Sequence, residues 1–281
     1  MENYKLTINI INNYKCYLMK EERSEATIAK YLRDIRAFYN YLPDNKIVTK
    51  EITIAYKTSI LDNYESSSIN SMLAAVNGFL KFLGLDYCKV KKLKVQRQIY
   101  REESRELTKE EYFALLSACS GNKHQRLNLI IQTICGTGIR ISELKHFTVQ
   151  AVKSGKVQVH CKGKSRTVFI PTQLRDKLLI YISKKGIESG SIFITRGGKP
   201  VDRSNIWTQM QKICEIAGVA ASKVFPHNLR HLFARTYYQI KKDLGKLADI
   251  LGHSNIETTR IYTISTGKEH EKQIECLGLI I

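Results

Sequence analysis

The sequence lacks the apolar run that a membrane span needs. No uninterrupted hydrophobic stretch approaches the roughly 20 residues required, so no transmembrane segment is expected. The start, Met1-Glu2-Asn3-Tyr4-Lys5, is polar and carries an acid, and it does not read as a secretory signal. The cysteines are Cys16, Cys88, Cys119, Cys135, Cys161, Cys214 and Cys276. They are scattered and form no C-x-x-C pair, which argues against a disulfide framework or a zinc site. Free thiols in the cytoplasm are the plain reading. There is no H-E-x-x-H, no G-x-x-x-x-G-K-[ST] and no G-x-G-x-x-G. His227 and His231 are four apart but have no carboxylate between them. No metal, no cofactor and no nucleotide-driven motor is therefore expected. Internal repeats and low-complexity tracts are also missing.

Acidic charge is in short supply. Lys and Arg number 45 and Asp and Glu 26, for a formal charge of +19 and a pI of about 9.6. Residues 1–100 hold 16 bases against 10 acids, and residues 101–281 hold 29 against 16. Both halves are basic, so the excess is no single tail. Such a field attracts polyanions, and by itself it does not separate nucleic acid from an anionic membrane. The 281 residues are 43% hydrophobic and 25% charged, the balance of a globular protein with a core. At about 150 residues per domain, one large or two ordinary domains are expected.

Residues 1–88 read as a helical bundle. Ser24 is placed to cap a helix bearing Ile28, Leu32, Ile35, Phe38 and Leu42, spaced three and four apart, and Pro43 stops it. A second stripe, Ile69, Leu73, Val76, Leu80 and Leu83, follows Ser66-Ser67-Ser68. Residues 5–19 and 51–62 are weaker helices. From Lys89 to Arg101 the pattern lapses into six bases without an acid, and 89–105 is read as a basic linker. Thr108 and Glu111 form a capping box. A helix from about Arg126 to Cys135 is broken by Gly136-Thr137-Gly138, and a short helix follows over Ser142–Lys145. Val157, Val159 and Cys161, then Val168 and Ile170, alternate with polar residues. This is a β-hairpin tipped by Lys162-Gly163-Lys164-Ser165. Helices near 172–185, 203–217 and 227–240 follow, then one from Asp243 to Gly252. Ser254 and Glu257 are read as a second capping box.

Several phosphate-seeking residues fall at special places. Arg140 follows the glycine break, at a helix N-terminus that favours anions. Arg grips phosphate oxygens in a planar fork. His227 and Arg230 share a helix face behind Pro226. His253 follows the Gly252 break, and Tyr262 lies nine residues on. Each alone is ordinary: Arg140 could pair with Glu143 on the surface, and a Tyr on an amphipathic helix is usually core.

In order, these segments resemble the signature boxes of the tyrosine recombinases, the family of phage and transposon integrases and Xer-type resolvases. The boxes are Thr137–Leu144, Pro226–Ala234 and Leu251–Thr263. The resemblance implies a mainly α fold with a small β-hairpin (α+β). It also implies a helical core DNA-binding domain over 1–88 and a catalytic domain with a C-terminal tail over 106–281. It implies site-specific cutting and rejoining of DNA through a 3′-phosphotyrosyl link. Tyr262 would be the nucleophile, with Arg140, Arg230 and His253 holding the phosphate oxygens. His227 would be the general base, Lys162 the general acid and Glu143 a bracing carboxylate. Lys164 is the alternative to Lys162. The expected partners are a double-stranded recombination site and a homo-tetramer on two duplexes; accessory DNA-bending proteins are not specified. A type IB topoisomerase or a non-catalytic DNA-binding regulator are the rival readings.

Overall fold

Apolar stripes and side-chain caps set the helices of the first hundred residues. The computed structural model describes residues 4–94, 103–121, 123–161, 164–195, 197–262, 271 and 274–277. Strand β1 (Tyr4–Lys5) pairs antiparallel with β2 (Ile47–Val48). Around this pair lie α1 (Ile8–Lys20), α2 (Glu25–Tyr41), α3 (Lys50–Ser59) and α4 (Ser66–Phe82). The Ser24 hydroxyl accepts the Thr27 N–H and caps α2 as expected. The three serines lie inside the first turn of α4, with Glu65 at the cap, instead of preceding the helix. First-turn amides have no intrahelical partner, so serine costs little there. Tyr14, Ile35, Phe38, Leu73, Phe79 and Leu80 are buried. Tyr14 meets Phe79 edge-on at 5.1 Å, and Phe38 meets Tyr56 the same way at 5.1 Å.

The stretch after α4 shows no periodicity, yet two asparagines hold it. Asn77 exchanges bonds with both backbone groups of Val90, at 2.8 and 3.0 Å. Asn70 does the same with Leu93, at 3.0 and 2.7 Å. The spacings match: seven helical residues rise about 10 Å, and three extended residues span about 10 Å. The strand-like segment therefore runs antiparallel along α4, and Val90 is buried. The expected linker is thus bound to the first unit as far as Leu93. Each lost asparagine leaves a part-buried N–H and C=O without their partner, at about 1 kcal/mol. Asn70→Ala with Asn77→Ala is expected to expose Lys91, Lys92 and Lys94 to trypsin. Unchanged cleavage rates at these lysines would refute the strap.

The second unit spans Gln98–Ile281, and the first Met1–Arg97. Its helices are α5 (Lys109–Ala118), α6 (Gln125–Thr137), α7 (Val149–Ser154), α8 (Thr172–Lys185), α9 (Arg203–Ala217), α10 (Pro226–Lys241), α11 (Leu244–Leu251) and α12 (Glu257–Arg260). The capping box of Thr108 and Glu111 forms. β3 (Lys156–Cys161) and β4 (Lys164–Phe169) make the expected hairpin, with Val159 opposite Arg166. Its inward residues Val157, Val159 and Val168 join the core of Leu115, Ile131, Phe147, Leu178, Phe193 and Leu229. Among the described residues, no helix is long and apolar enough to cross a membrane.

Three local expectations are corrected. α6 runs through Gly136 and ends only at Gly138, because Gly138 takes the left-handed cap. The short helix after Arg140 is a 3-10 turn, Ile141–His146. The Ser254–Glu257 box does not form; α12 starts after Ile256, and the Asn255 side chain accepts the Glu257 N–H at 2.8 Å.

Candidate active site

Two helix C-termini build the centre of the site. α6 closes on Gly138 at φ 65°, where an added Cβ would strike the Phe233 ring. Only glycine suits that conformation and that space. The Gly138 carbonyl accepts from Arg230 Nη1 at 2.6 Å. α11 closes on Gly252 at φ 64°, where a Cβ would stand 2.8 Å from Arg166 Cδ. Its last carbonyls collect three guanidiniums. Arg166 Nε donates to Ile250 O at 3.0 Å, Arg230 Nη2 to Leu251 O at 2.7 Å, and Arg140 Nη1 to Leu251 O at 3.4 Å. Terminal carbonyls have no intrahelical partner and carry partial negative charge, so they anchor cations.

Glu143 ties the arginines together. It is 2% exposed, so the surface ion pair considered for Arg140 is in fact a buried brace. Arg166 meets it in a fork, at 2.8 and 2.9 Å. The Arg140 N–H donates to Glu143 Oε2 at 2.8 Å and Arg140 Nη1 to Oε1 at 3.3 Å. Burial pushes the Glu143 carboxyl up, but the bonds from Arg166 and the Arg140 backbone outweigh it and hold it below the ordinary value. Glu143 also takes the backbone N–H that was expected to favour an anion at Arg140.

Three guanidiniums against one carboxylate leave the site cationic. Arg230 is 1% exposed. Burial, then Arg140, lower it to about 10, so it stays charged at neutral pH. Its Nε is a buried donor with no hydrogen-bond partner among the described residues. Arg140, His227 and Arg230 line one cavity of about 1120 Å³, together with Lys145, Arg203 and Trp207. Burial, then Arg230, Arg140 and Arg203, lower the His227 pKa and keep the imidazole a neutral base. Burial, then Arg230 and Arg140, bring His253 down to about 4.

The other assigned residues gather around Arg230. His253 Nε2 lies 3.0 Å from Arg230 Nη2, and His253 Nδ1 lies 2.8 Å from Thr259 Oγ1. Tyr262 is 4% exposed, and its ring stacks against His253 at 6.1 Å between centroids. The structure thus brings Arg140, His227, Arg230, His253 and Tyr262 into one site. Lys162 lies outside the described residues, and Lys164 opens β4.

Three neighbours were given no role by the sequence, two of them inside the boxes. His231 has its ring 4.6 Å from His227 and 4.9 Å from Tyr262. Only its spacing of four from His227 hinted at this. Arg166 was visible merely as a base beyond the hairpin tip. Thr259, fully buried, carried no signal beyond its distance of three from Tyr262.

Gly138→Ala combines left-handed strain with a ring clash at the carbonyl that anchors Arg230. The variant is expected to lose about 1–3 kcal/mol of stability and at least tenfold in the site's reaction. Wild-type denaturant midpoint and rate together would show that the turn tolerates a Cβ.

Residues 105–269 match the phage integrase family, and residues 11–85 match the phage integrase N-terminal SAM-like domain. Tyrosine recombinase XerA of Thermococcus kodakarensis is 29% identical over 279 residues, covering 96% of each chain. Tyrosine recombinase XerD of Staphylococcus epidermidis is 28% identical over 278 residues, covering 90% of this chain and 93% of the relative. Among solved structures, a lambda integrase (75–356) dimer bound to a COC′ core site superposes with a TM-score of 0.74. It is 17% identical and covers 93% of this chain and 96% of its own. A crystal structure of XerA recombinase covers 97% and 99%, with a TM-score of 0.54 and 22% identity. The family match and the relatives named as tyrosine recombinases make the protein a tyrosine recombinase, an enzyme that cuts and rejoins DNA at specific sites. The chain belongs to the phage integrase family.

Proposed function

We propose that Tyr262 attacks a phosphodiester of duplex DNA, with the surrounding cations holding the phosphate. The observation that carries this is the cationic cavity, in which buried Arg230 keeps an unpartnered Nε donor beside Arg140. A phosphodiester brings one negative charge, and its five-coordinate transition state carries more. Fixed donors therefore stabilise the transition state beyond the ground state. Arg140, Arg230 and His253 serve as those donors. His227, held neutral, takes the Tyr262 proton. The tyrosyl oxygen bonds to phosphorus, the bond to the 5′ oxygen breaks, and Lys162 protonates that oxygen. One phosphodiester is exchanged for another, so the 3′-phosphotyrosine retains the energy needed for rejoining.

In this reading, residues 1–88 are the core DNA-binding domain, 89–105 the basic linker and 106–281 the catalytic domain. The enzyme works in the cytoplasm as four copies on two duplexes. The reading is tested with a library of nicked duplexes whose sequence is randomised. Cleavage next to the nick releases a short strand and traps the protein on DNA. A covalent adduct on a denaturing gel, enriched in one sequence, is the expected result. No adduct on any duplex overturns the reading.

The tail bears on the assembly. Ile274 and Leu277 are exposed, at 53% and 62%, and we read these two apolar side chains as placed for a partner surface. A chain ending at Lys272 is expected to stay folded and bind one half-site, but to lose cooperative binding and recombination. Undiminished recombination would refute packing on a neighbouring copy, and unfolding would assign the tail to its own domain.

A further inference from the structure

A guanidinium only donates, so Arg230 Nη2, 3.0 Å from His253 Nε2, meets a lone pair there. The ring is neutral, because burial and then Arg230, Arg140, Arg166 and His227 disfavour its charged form. The single ring proton therefore sits on Nδ1 and is given to Thr259 Oγ1, at 2.8 Å. This is the wrong tautomer for the role assigned above. To donate to a phosphate oxygen, a neutral His253 must carry its proton on Nε2.

Moving that proton turns Nδ1 from donor into acceptor. Its partner must then turn from acceptor into donor. A backbone carbonyl or a carboxylate lacks a proton to give and would hold the ring in one form. A hydroxyl does both by rotating about its Cβ–Oγ bond. Thr259 is fully buried, so water does not substitute for it freely. Its carbonyl also accepts the Tyr262 N–H at 2.9 Å, which ties the same residue to the nucleophile's turn.

We propose that Thr259 is the positioning residue that lets His253 change tautomer when a phosphodiester enters the site. The hydroxyl accepts from Nδ1 while Nε2 faces Arg230. It donates to Nδ1 once Nε2–H turns to a phosphate oxygen. The ring loses one proton at Nδ1 and gains one at Nε2 by exchange with solvent, and Thr259 keeps its own. The inference rests on the strand-cleaving reading of the site, and it adds the device that readies His253.

The test uses full-length protein with 15N-labelled histidine, carrying Tyr262→Phe so that bound DNA stays intact. The DNA probe is the duplex that the active enzyme enriches from the nicked library. The ring nitrogen shifts of His253 are expected to report Nδ1–H without DNA and Nε2–H with it. The Thr259 variants carry Tyr262→Phe for the spectra and keep Tyr262 for cleavage; Thr259→Ser is expected to keep both forms and to cleave within a few-fold of wild type. Thr259→Val keeps the shape without the hydroxyl. It is expected to bind DNA normally, show no tautomer change and lose at least about tenfold in single-turnover cleavage. An unchanged tautomer in the parent protein, a doubly protonated His253 on DNA, or wild-type cleavage by Thr259→Val would overturn the proposal. If Thr259→Val does not fold, the parent's shifts and Thr259→Ser still decide. Failure of the active enzyme to capture any duplex would instead sink the strand-cleaving reading beneath it.

Discussion

Tyr262→Phe is expected to abolish the covalent protein–DNA adduct while leaving fold and DNA affinity intact. The substitution removes one oxygen and keeps the ring that packs against His231 and His253. The lost hydroxyl removes a hydrogen bond to Arg230, but every cation proposed to hold the phosphate stays in place, so binding and its salt dependence should persist. What disappears is the attacking atom, and no positioning effect replaces a nucleophile. A nicked duplex followed on a denaturing gel reads the result directly. An adduct formed by the Phe variant would show that another of the 15 tyrosines attacks.

Lys162→Ala is expected to slow cleavage of an ordinary substrate by about 10²–10⁴-fold, the usual worth of a general acid. The 5′ oxygen is a poor leaving group and needs a proton as its bond breaks. Sulfur in its place leaves as a thiolate and needs none. A 5′-phosphorothiolate duplex should therefore be cleaved by Lys162→Ala nearly as fast as by wild type. Lys164→Ala, across the same hairpin tip, should mainly weaken DNA binding and flatten its salt dependence. Rescue by sulfur of Lys164→Ala but not Lys162→Ala would exchange the two roles.

The arginines show why charge alone does not make the site. Arg140, Arg166 and Arg230 would repel one another without Glu143 and the carbonyls at the ends of α6 and α11. Those acceptors position the guanidiniums without neutralising them all. The surplus charge is held in advance, as preorganised stabilisation requires.

Local chemistry determined much of this protein from sequence alone. Ser24, Thr108 and Asp243 cap helices because their side chains accept backbone N–H groups within three residues. Alternation with a basic Gly-containing tip specified the hairpin, since period two is a property of the strand itself. Arg140, His227, Arg230, His253 and Tyr262 were legible because their motifs are contiguous and follow one order. At α12 the local pattern chose a Ser254 cap that does not form: the helix starts after Ile256, which has no capping side chain, and the Asn255 side chain takes the Glu257 N–H instead. Only the tertiary structure decided what holds the site residues. Arg230 reaches Gly138 across 92 positions, Arg140 reaches Leu251 across 111, and Glu143 reaches Arg166 across 23. Asn70 and Asn77 hold a strap that has no pattern of its own. Such bonds depend on which helix ends and side chains meet after packing, and no periodicity along the chain encodes that meeting.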